Sequence, residues 1–220
     1  MPEITVHLLR HGEVFNPDGV LYGRLPEFHL SERGHAMAAL VAKHLQKRSD
    51  DGAKLVHLVA SPLTRAQETA QPAADALGLS IVTDPRIIEA ENHFEGSKVS
   101  RHEILKPRHW PYFWNPLRPS WGEPYKQQAA RVMEAVQDAR RRAFELGGDG
   151  AEAVLVSHQL PIWVARRTAE NKPLWHDPRH RECTLASLTS LVFAGDAVTA
   201  VRYCEPAAAL LPGAATTRGA

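Results

Sequence analysis

The sequence predicts an α/β fold, a mostly parallel sheet wrapped by helices, and three observations predict it. Short apolar runs at 4–9, 55–60 and 153–156 each stop at a polar turn, as buried strands do. Segments with helical signals lie between them, the alternation that builds a parallel sheet. A chain of 220 residues with ordinary apolar content suffices for one well-buried core, whereas two full domains would each be small. The reading is a single domain over 1–205, followed at 206–220 by a loose tail rich in alanine, glycine and threonine.

Each element has its own signal. The run 4–9 is β-branched at its start and gives way to a turn at Gly12. From Ser31, a side chain suited to capping a helix, Met37, Leu40, Val41 and Leu45 recur at helical spacing and form a face that packs on the sheet. The run 55–60 ends in Ser61-Pro62, which predicts Ser61 as an N-cap and Pro62 as the first helical residue. That helix should cover 64–77, kinked by Pro72 or ended at Gln71. A short strand at 81–83 leads through Asp84-Pro85-Arg86 to Glu89. A helix over 124–146 carries Ala129, Val132, Met133, Val136, Ala143 and Phe144 on one side, with Gly147-Gly148 as its stop. The run 153–156 ends at Ser157-His158-Gln159, ahead of Pro161 and another helix. Strands at 187–193 and 198–204 flank Gly195-Asp196, the signal of a hairpin at the sheet edge.

Four strand exits therefore carry Arg10 with His11, Arg65, Glu89 and His158. In one parallel sheet these exits share an edge, and open α/β sheets bind ligands there. Arg65 falls in the first turn of its helix, where free N–H groups and the helix dipole already favour an anion. Two arginines and two histidines make a pocket for a dianion, and a carboxylic acid beside them can donate a proton. A phosphoryl group is the guest this charge pattern suits.

Four stretches, Arg10-His11-Gly12-Glu13, Tyr22-Gly23 followed by Leu30-Ser31-Glu32-Arg33-Gly34, the 61–70 segment with Arg65, and the strand ending in Ser157-His158, match one family in order and spacing. They resemble the histidine phosphatase superfamily, branch 1, also called phosphoglycerate mutase-like, over most of the chain. The resemblance implies a three-layer α/β/α sandwich with a mostly parallel central sheet, a phosphohistidine intermediate, and no metal or other cofactor. It implies His11 as nucleophile, Arg10, Arg65 and His158 as the clamp on the phosphoryl oxygens, and Glu89 as proton donor. Asn16, Tyr22, Gly23 and Gln159 are the implied substrate-binding residues. Family members are often dimers, so a homodimer is compatible with it.

The chain departs from the family pattern at three places. Asn16 follows His11 one residue sooner than is commonest and is itself followed by Pro17. Gln159 stands where a glycine usually follows the second histidine. The glycine usual after the acid is missing from Glu89-Ala90-Glu91-Asn92, so Glu89 leads with Glu91 as the alternative. The chemistry asks for a neutral His11 with one ring N–H held by a main-chain carbonyl, a protonated Glu89 and a cationic His158, opposed needs that predict a bell-shaped pH profile.

Composition excludes several classes. A formal net charge of +1 gives no broad attraction to nucleic acid. No apolar run is long enough to span a bilayer, the chain enters its first strand without a signal peptide, and Cys183 and Cys204 form no CxxC pattern. A cytoplasmic enzyme with reduced thiols and a small phosphorylated substrate is expected. Twelve histidines raise the question of a metal at His7 with His11 or at His176 with His180, but Pro178 breaks the helix that i,i+4 ligation would use and no carboxylate or Cys cluster joins them. Residues 98–125 read as a variable cap in which Arg101, His102, Lys106, Arg108, His109 and Arg118 mix with Trp110, Tyr112, Phe113, Trp114 and Trp121. That cap would either grip an anionic or ring-bearing leaving group or close a small satellite core.

The function so read is metal-independent hydrolysis of a phosphomonoester through phospho-His11. One alternative is a cofactor-dependent phosphoglycerate mutase, which the Glu89-Ala90-Glu91-Asn92 sequence disfavours because mutases carry Glu-Arg-x-Tyr-Gly around the acid. The other is a non-catalytic phospholigand-binding module, for which an intact His11 would be unnecessary.

Overall fold

The structure, a computed structural model, describes residues 1–97 and 122–214. The cap at 98–125 therefore lies almost wholly outside the described residues. The strands are β1 (Glu3–Arg10), β2 (Lys54–Ala60), β3 (Ile81–Thr83), β4 (Ala151–Ser157), β5 (Leu188–Ala194) and β6 (Ala197–Cys204). They form one sheet in the order β3-β2-β4-β1-β5-β6. Strands β1 to β4 are mutually parallel, and β5 and β6 add an antiparallel hairpin closed at Gly195-Asp196.

Side-chain alternation along the strands builds two cores. On one face Leu9, Leu58, Val154 and Val156 meet α1 (Glu32–Asp50) through Met37, Val41 and Leu45, and α2 (Thr64–Leu77) through Ala66, Ala70, Ala73 and Ala74. On the other, Ile4, Val6, Leu8 and Leu155 meet α3 (Tyr125–Gly147) through Val132, Val136 and Ala139, and α4 (Gln159–Ala169) through Ile162 and Ala165. The result is the expected three-layer sandwich. Among the described residues no helix is long and apolar enough to cross a membrane.

The predicted cap of α1 is present, with Ser31 Oγ accepting from the Gly34 N–H at 3.0 Å. Three local expectations need correction. The helix α2 begins at Thr64 with Leu63 as N-cap, not at Pro62 after a Ser61 cap, and Ser61 Oγ lies 2.7 Å from His158 Nε2. It also does not end at Gln71 but continues past Pro72: only one backbone N–H is lost there, and Ala66 and Ala70 before it and Ala73 and Ala74 after it are all buried in one core. The tail is packed as far as 214, since Ala207 is buried and Leu210, Leu211 and Ala214 lie against the α1/α2 core.

One buried ionic network lies within this frame. His7 donates Nε2–H to Glu152 Oε2 at 2.9 Å and accepts at Nδ1 from Ser190 Oγ at 2.7 Å, while Arg48 grips both Glu152 oxygens at 2.7 and 2.5 Å. Burial pushes the Glu152 carboxyl up, but the hydrogen bonds from His7 and Arg48 outweigh it and the pKa falls to about 2. A folded-state pKa below the unfolded one contributes stability that is complete above the ordinary carboxylate value and is lost as pH falls through the folded one. Urea midpoints should therefore drop as pH is lowered from about 4.5 toward 2, by on the order of 2–3 kcal/mol for this group. Glu152→Gln should be less stable at pH 7 and lack that part of the decline.

Candidate active site

The carboxyl ends of β1 and β4 lie side by side at the centre of the sheet. The chain leaves β1 through α1 toward β2 on one side and leaves β4 through α4 toward β5 on the other. Open α/β sheets bind ligands where the connections diverge in this way. His11 follows β1 and His158 follows β4, so their rings meet with centroids 5.2 Å apart.

Two glycines fix the turn that carries His11. A Cβ on Gly12 would stand 2.6 Å from the Gly34 carbonyl oxygen, and one on Gly34 would stand 2.0 Å from that of Glu13. The turn after β1 is thus pressed against the start of α1. Thr69 Oγ1 joins it to α2, accepting from the Gly12 N–H at 3.1 Å and donating to the Arg65 carbonyl at 2.7 Å.

His11 is fully buried and donates Nδ1–H to the Gly12 carbonyl at 2.8 Å, the main-chain partner expected for it. Its Nε2 is buried without a hydrogen-bond partner. Burial first, then Arg65 and Arg10, hold its pKa well below the usual histidine value. The ring is neutral and its lone pair free.

Arg65, in the first turn of α2, is also fully buried. Its Nη2 donates to the Gly23 carbonyl at 2.5 Å, and its guanidinium lies over the Tyr22 ring at 4.7 Å. Gly23 earns its place sterically: its φ is +37°, and a Cβ there would overlap the Glu95 carboxyl. Tyr22 stands edge-on to His11 at 6.4 Å. Arg10 donates from Nη1 to the Cys183 carbonyl at 2.7 Å. Both arginines keep a buried Nε–H with no partner.

Glu89 is 2% exposed, and its Oε1 accepts from the Ala90 N–H at 2.7 Å while Oε2 is buried and unpartnered. Burial raises its pKa against the opposing pull of the Ala90 N–H and of Arg65, Arg181 and Arg10. Glu91 is exposed, so of the two candidate acids only Glu89 faces the cluster's charges.

Burial, then Arg65, His11 and Arg10, hold the His158 pKa well below the usual value, which favours the neutral ring over the cation that the chemistry asks for. Its Nε2 is 2.7 Å from Ser61 Oγ, and its Nδ1 is buried without a partner. Ser61 Oγ also accepts from the Leu63 N–H at 3.5 Å, and its hydroxyl keeps both its proton and a second lone pair to offer His158 Nε2.

The structure does not bring Asn16 into this cluster's hydrogen bonds. Its amide spans its own loop, donating to the Val20 carbonyl at 2.8 Å and accepting from the Val20 N–H at 3.1 Å. Gln159 stands at the rim, donating to the Cys183 carbonyl at 3.3 Å.

Sequence reading missed the residues that hold the acid loop. Arg24 and Arg131 both donate to the Glu89 carbonyl, at 2.8 and 3.3 Å, and both are ion-paired to Glu123. Their partners lie 65 and 42 residues away, so no local pattern marked them. Glu123→Gln leaves two guanidiniums undercompensated; it is expected to lower kcat about tenfold with little change in KM, as loosened positioning does. Steady-state kinetics would check this.

Four buried nitrogens, on Arg10, His11, Arg65 and His158, and one carboxyl oxygen thus lack partners among the described residues. Unsatisfied groups of this kind are costly in a core and are what an oxyanion ligand requires. Among the described residues no three His, Cys, Asp or Glu side chains gather as metal ligands would.

Comparison with known proteins gives a consistent picture. Residues 6–206 match the sequence profile of the histidine phosphatase superfamily (branch 1). An uncharacterized protein of Mycobacterium tuberculosis strain H37Rv, Rv0525, is 52% identical over 94% of this chain and 100% of its own length. The probable phosphoglycerate mutase GpmB of Yersinia enterocolitica is 38% identical over 83% of each chain. The solved structure of mycobacterial glucosyl-3-phosphoglycerate phosphatase Rv2419c superposes with a TM-score of 0.71 at 25% identity, covering 92% of this chain and 96% of that one.

Proposed function

From the premise that this chain belongs to branch 1 of the histidine phosphatase superfamily, we propose that it is a metal-independent phosphatase that hydrolyses phosphomonoesters of a small metabolite. The observation that carries the reading is the neutral, fully buried His11, with Nδ1 committed to a carbonyl and Nε2 free among unpartnered donors.

The reaction runs in two displacements. His11 Nε2 attacks phosphorus in line, the P–O bond to the leaving group breaks, and the proton on Glu89 Oε2 passes to the departing oxygen. Arg10 Nε, Arg65 Nε and His158 Nδ1–H hold the equatorial oxygens as charge spreads over them. Glu89, now ionised, takes a proton from water; that water attacks phospho-His11, and inorganic phosphate leaves with His11 restored.

The test is phosphate release from a panel of phosphorylated metabolites and p-nitrophenyl phosphate in excess EDTA, beside a mutase assay primed with a bisphosphoglycerate. Release in EDTA that outpaces interconversion of phosphoglycerates supports the hydrolase. The reverse ranking would make the protein a mutase, and binding without turnover would make it a phospholigand-binding module.

A further inference from the structure

A cavity of about 280 Å³ lies between α1 and strands β1, β5 and β6, and none of the residues lining it belongs to the catalytic cluster. The strand register builds its floor. His7, Ser190 and Arg202 are neighbours across β1, β5 and β6, and Leu188 and Val192 flank Ser190 on the same face. The bond from Ser190 Oγ to His7 Nδ1 at 2.7 Å ties two of these strands together through their side chains. Over the floor stands α1, which contributes Leu45 and, one helical turn apart, His44 and Arg48. Arg48 is held in place by both oxygens of Glu152, which also accepts from His7.

The lining changes character from floor to mouth. Thr5, His7, Leu45, Leu188, Ser190 and Val192 are buried, whereas His44 and Arg202 are exposed and mark the opening. Among the described residues no acidic side chain lines the cavity. The charge of Arg48 is balanced by Glu152. Burial first, then Arg48 and His7, lowers the His44 pKa, so that ring adds no charge at neutral pH. Arg202 makes no hydrogen bond or ion pair among the described residues and is the uncompensated cation of the lining. In the floor Thr5 is 9% exposed, and its hydroxyl is likewise without a hydrogen-bond partner among the described residues.

A space of this size is several times the roughly 30 Å³ that one water occupies, which suits an organic molecule better than an inorganic ion. Apolar walls favour an apolar body, and a single uncompensated guanidinium offers its two parallel N–H donors to one carboxylate. The buried Thr5 hydroxyl gives such a molecule a polar contact inside. We propose that this cavity is a second binding site, for an organic monocarboxylate whose apolar body lies against Leu45, Leu188 and Val192 and whose carboxylate pairs with Arg202. The site stands apart from the phosphoryl pocket and does not depend on the hydrolase reading. It also gives the buried network of His7, Glu152 and Arg48 a task, since buried ion pairs add little net stability and this one fixes the floor and wall of a ligand site.

The experiment titrates isotope-labelled protein with benzoate and hexanoate, with the uncharged benzyl alcohol and hexanol, and with inorganic phosphate, and follows backbone amide chemical shifts. The carboxylates should give saturable shifts at His7, His44, Arg48, Ser190 and Arg202 and bind at least about tenfold more tightly than the matching alcohols. Arg202→Gln should remove that preference, and Arg202→Lys should keep part of it. Both variants change an exposed side chain without partners, so their spectra should match wild type away from the cavity. Carboxylate shifts confined to the catalytic residues, no saturation at the five amides, or a preference that survives Arg202→Gln overturns the proposal. Inorganic phosphate that saturates the same amides as tightly as the carboxylates also overturns it, because the cavity would then select charge and not an organic acid.

Discussion

His11→Ala is expected to eliminate phosphate release, with kcat falling by about 10⁵-fold or more. The size follows from the geometry. His11 is the imidazole whose Nδ1–H is committed to a carbonyl, which leaves Nε2 unprotonated; His158 Nε2 is bonded to Ser61 Oγ, and apart from His158 Nδ1 the other nitrogens of the cluster without partners among the described residues belong to guanidiniums. Alanine also leaves the Gly12 turn in place, since its packing on Gly34 and its bond to Thr69 do not involve the imidazole. The variant should therefore fold with a near-native urea midpoint and still bind vanadate. Rapid quenching of wild type with a labelled ester should trap label in an acid-labile, base-stable form, and His11→Ala should trap none. Residual turnover within tenfold of wild type would exclude His11 as the nucleophile.

Glu89→Gln should have the next largest effect, and one that depends on the leaving group. An alkoxide with a conjugate-acid pKa of about 15 needs a proton as it departs, so kcat on alkyl phosphates should drop about 10³-fold. p-Nitrophenolate, with a pKa of about 7, leaves unaided, so phosphorylation of the enzyme by p-nitrophenyl phosphate should slow about tenfold or less. The water that frees His11 still lacks its base, so this variant should give a burst of p-nitrophenol followed by a slow steady state. The pH dependence carries the same signature. Activity needs His11 unprotonated and Glu89 protonated; the first holds above a lowered pKa and the second below a raised one. The profile should be bell-shaped, and its alkaline limb should vanish in Glu89→Gln for phosphorylation by p-nitrophenyl phosphate.

The strands, the helices and the four exits were legible from local chemistry alone. Apolar runs that stop at Gly12, Ser61 and Ser157 are read within a window of ten residues, and the burial of each run confirms that reading. Parallel order then places Arg10, His11, Arg65, Glu89 and His158 at one edge without further information. The sequence put Glu89 ahead of Glu91, and burial of Glu89 beside an exposed Glu91 supports that order.

Assignments in which a polar side chain has a choice of partner were not legible locally. Ser61 has the sequence context of an N-cap yet bonds His158, 97 residues away, and Asn16, expected at the phosphate, bonds within its own loop. Pro72, expected to kink or end its helix, does not end it, and residues on both sides of it are buried in one core. His176 and Arg181 sit in a loop that composition marks only as basic, and their coupling to Glu89 and Gln159 exists because that loop returns to the sheet edge. By itself the sequence determined which groups meet, since hydrophobic periodicity and strand exits are local and additive. Only the tertiary structure decided their protonation and partners, because burial and long-range hydrogen bonds depend on contacts between residues far apart in the chain.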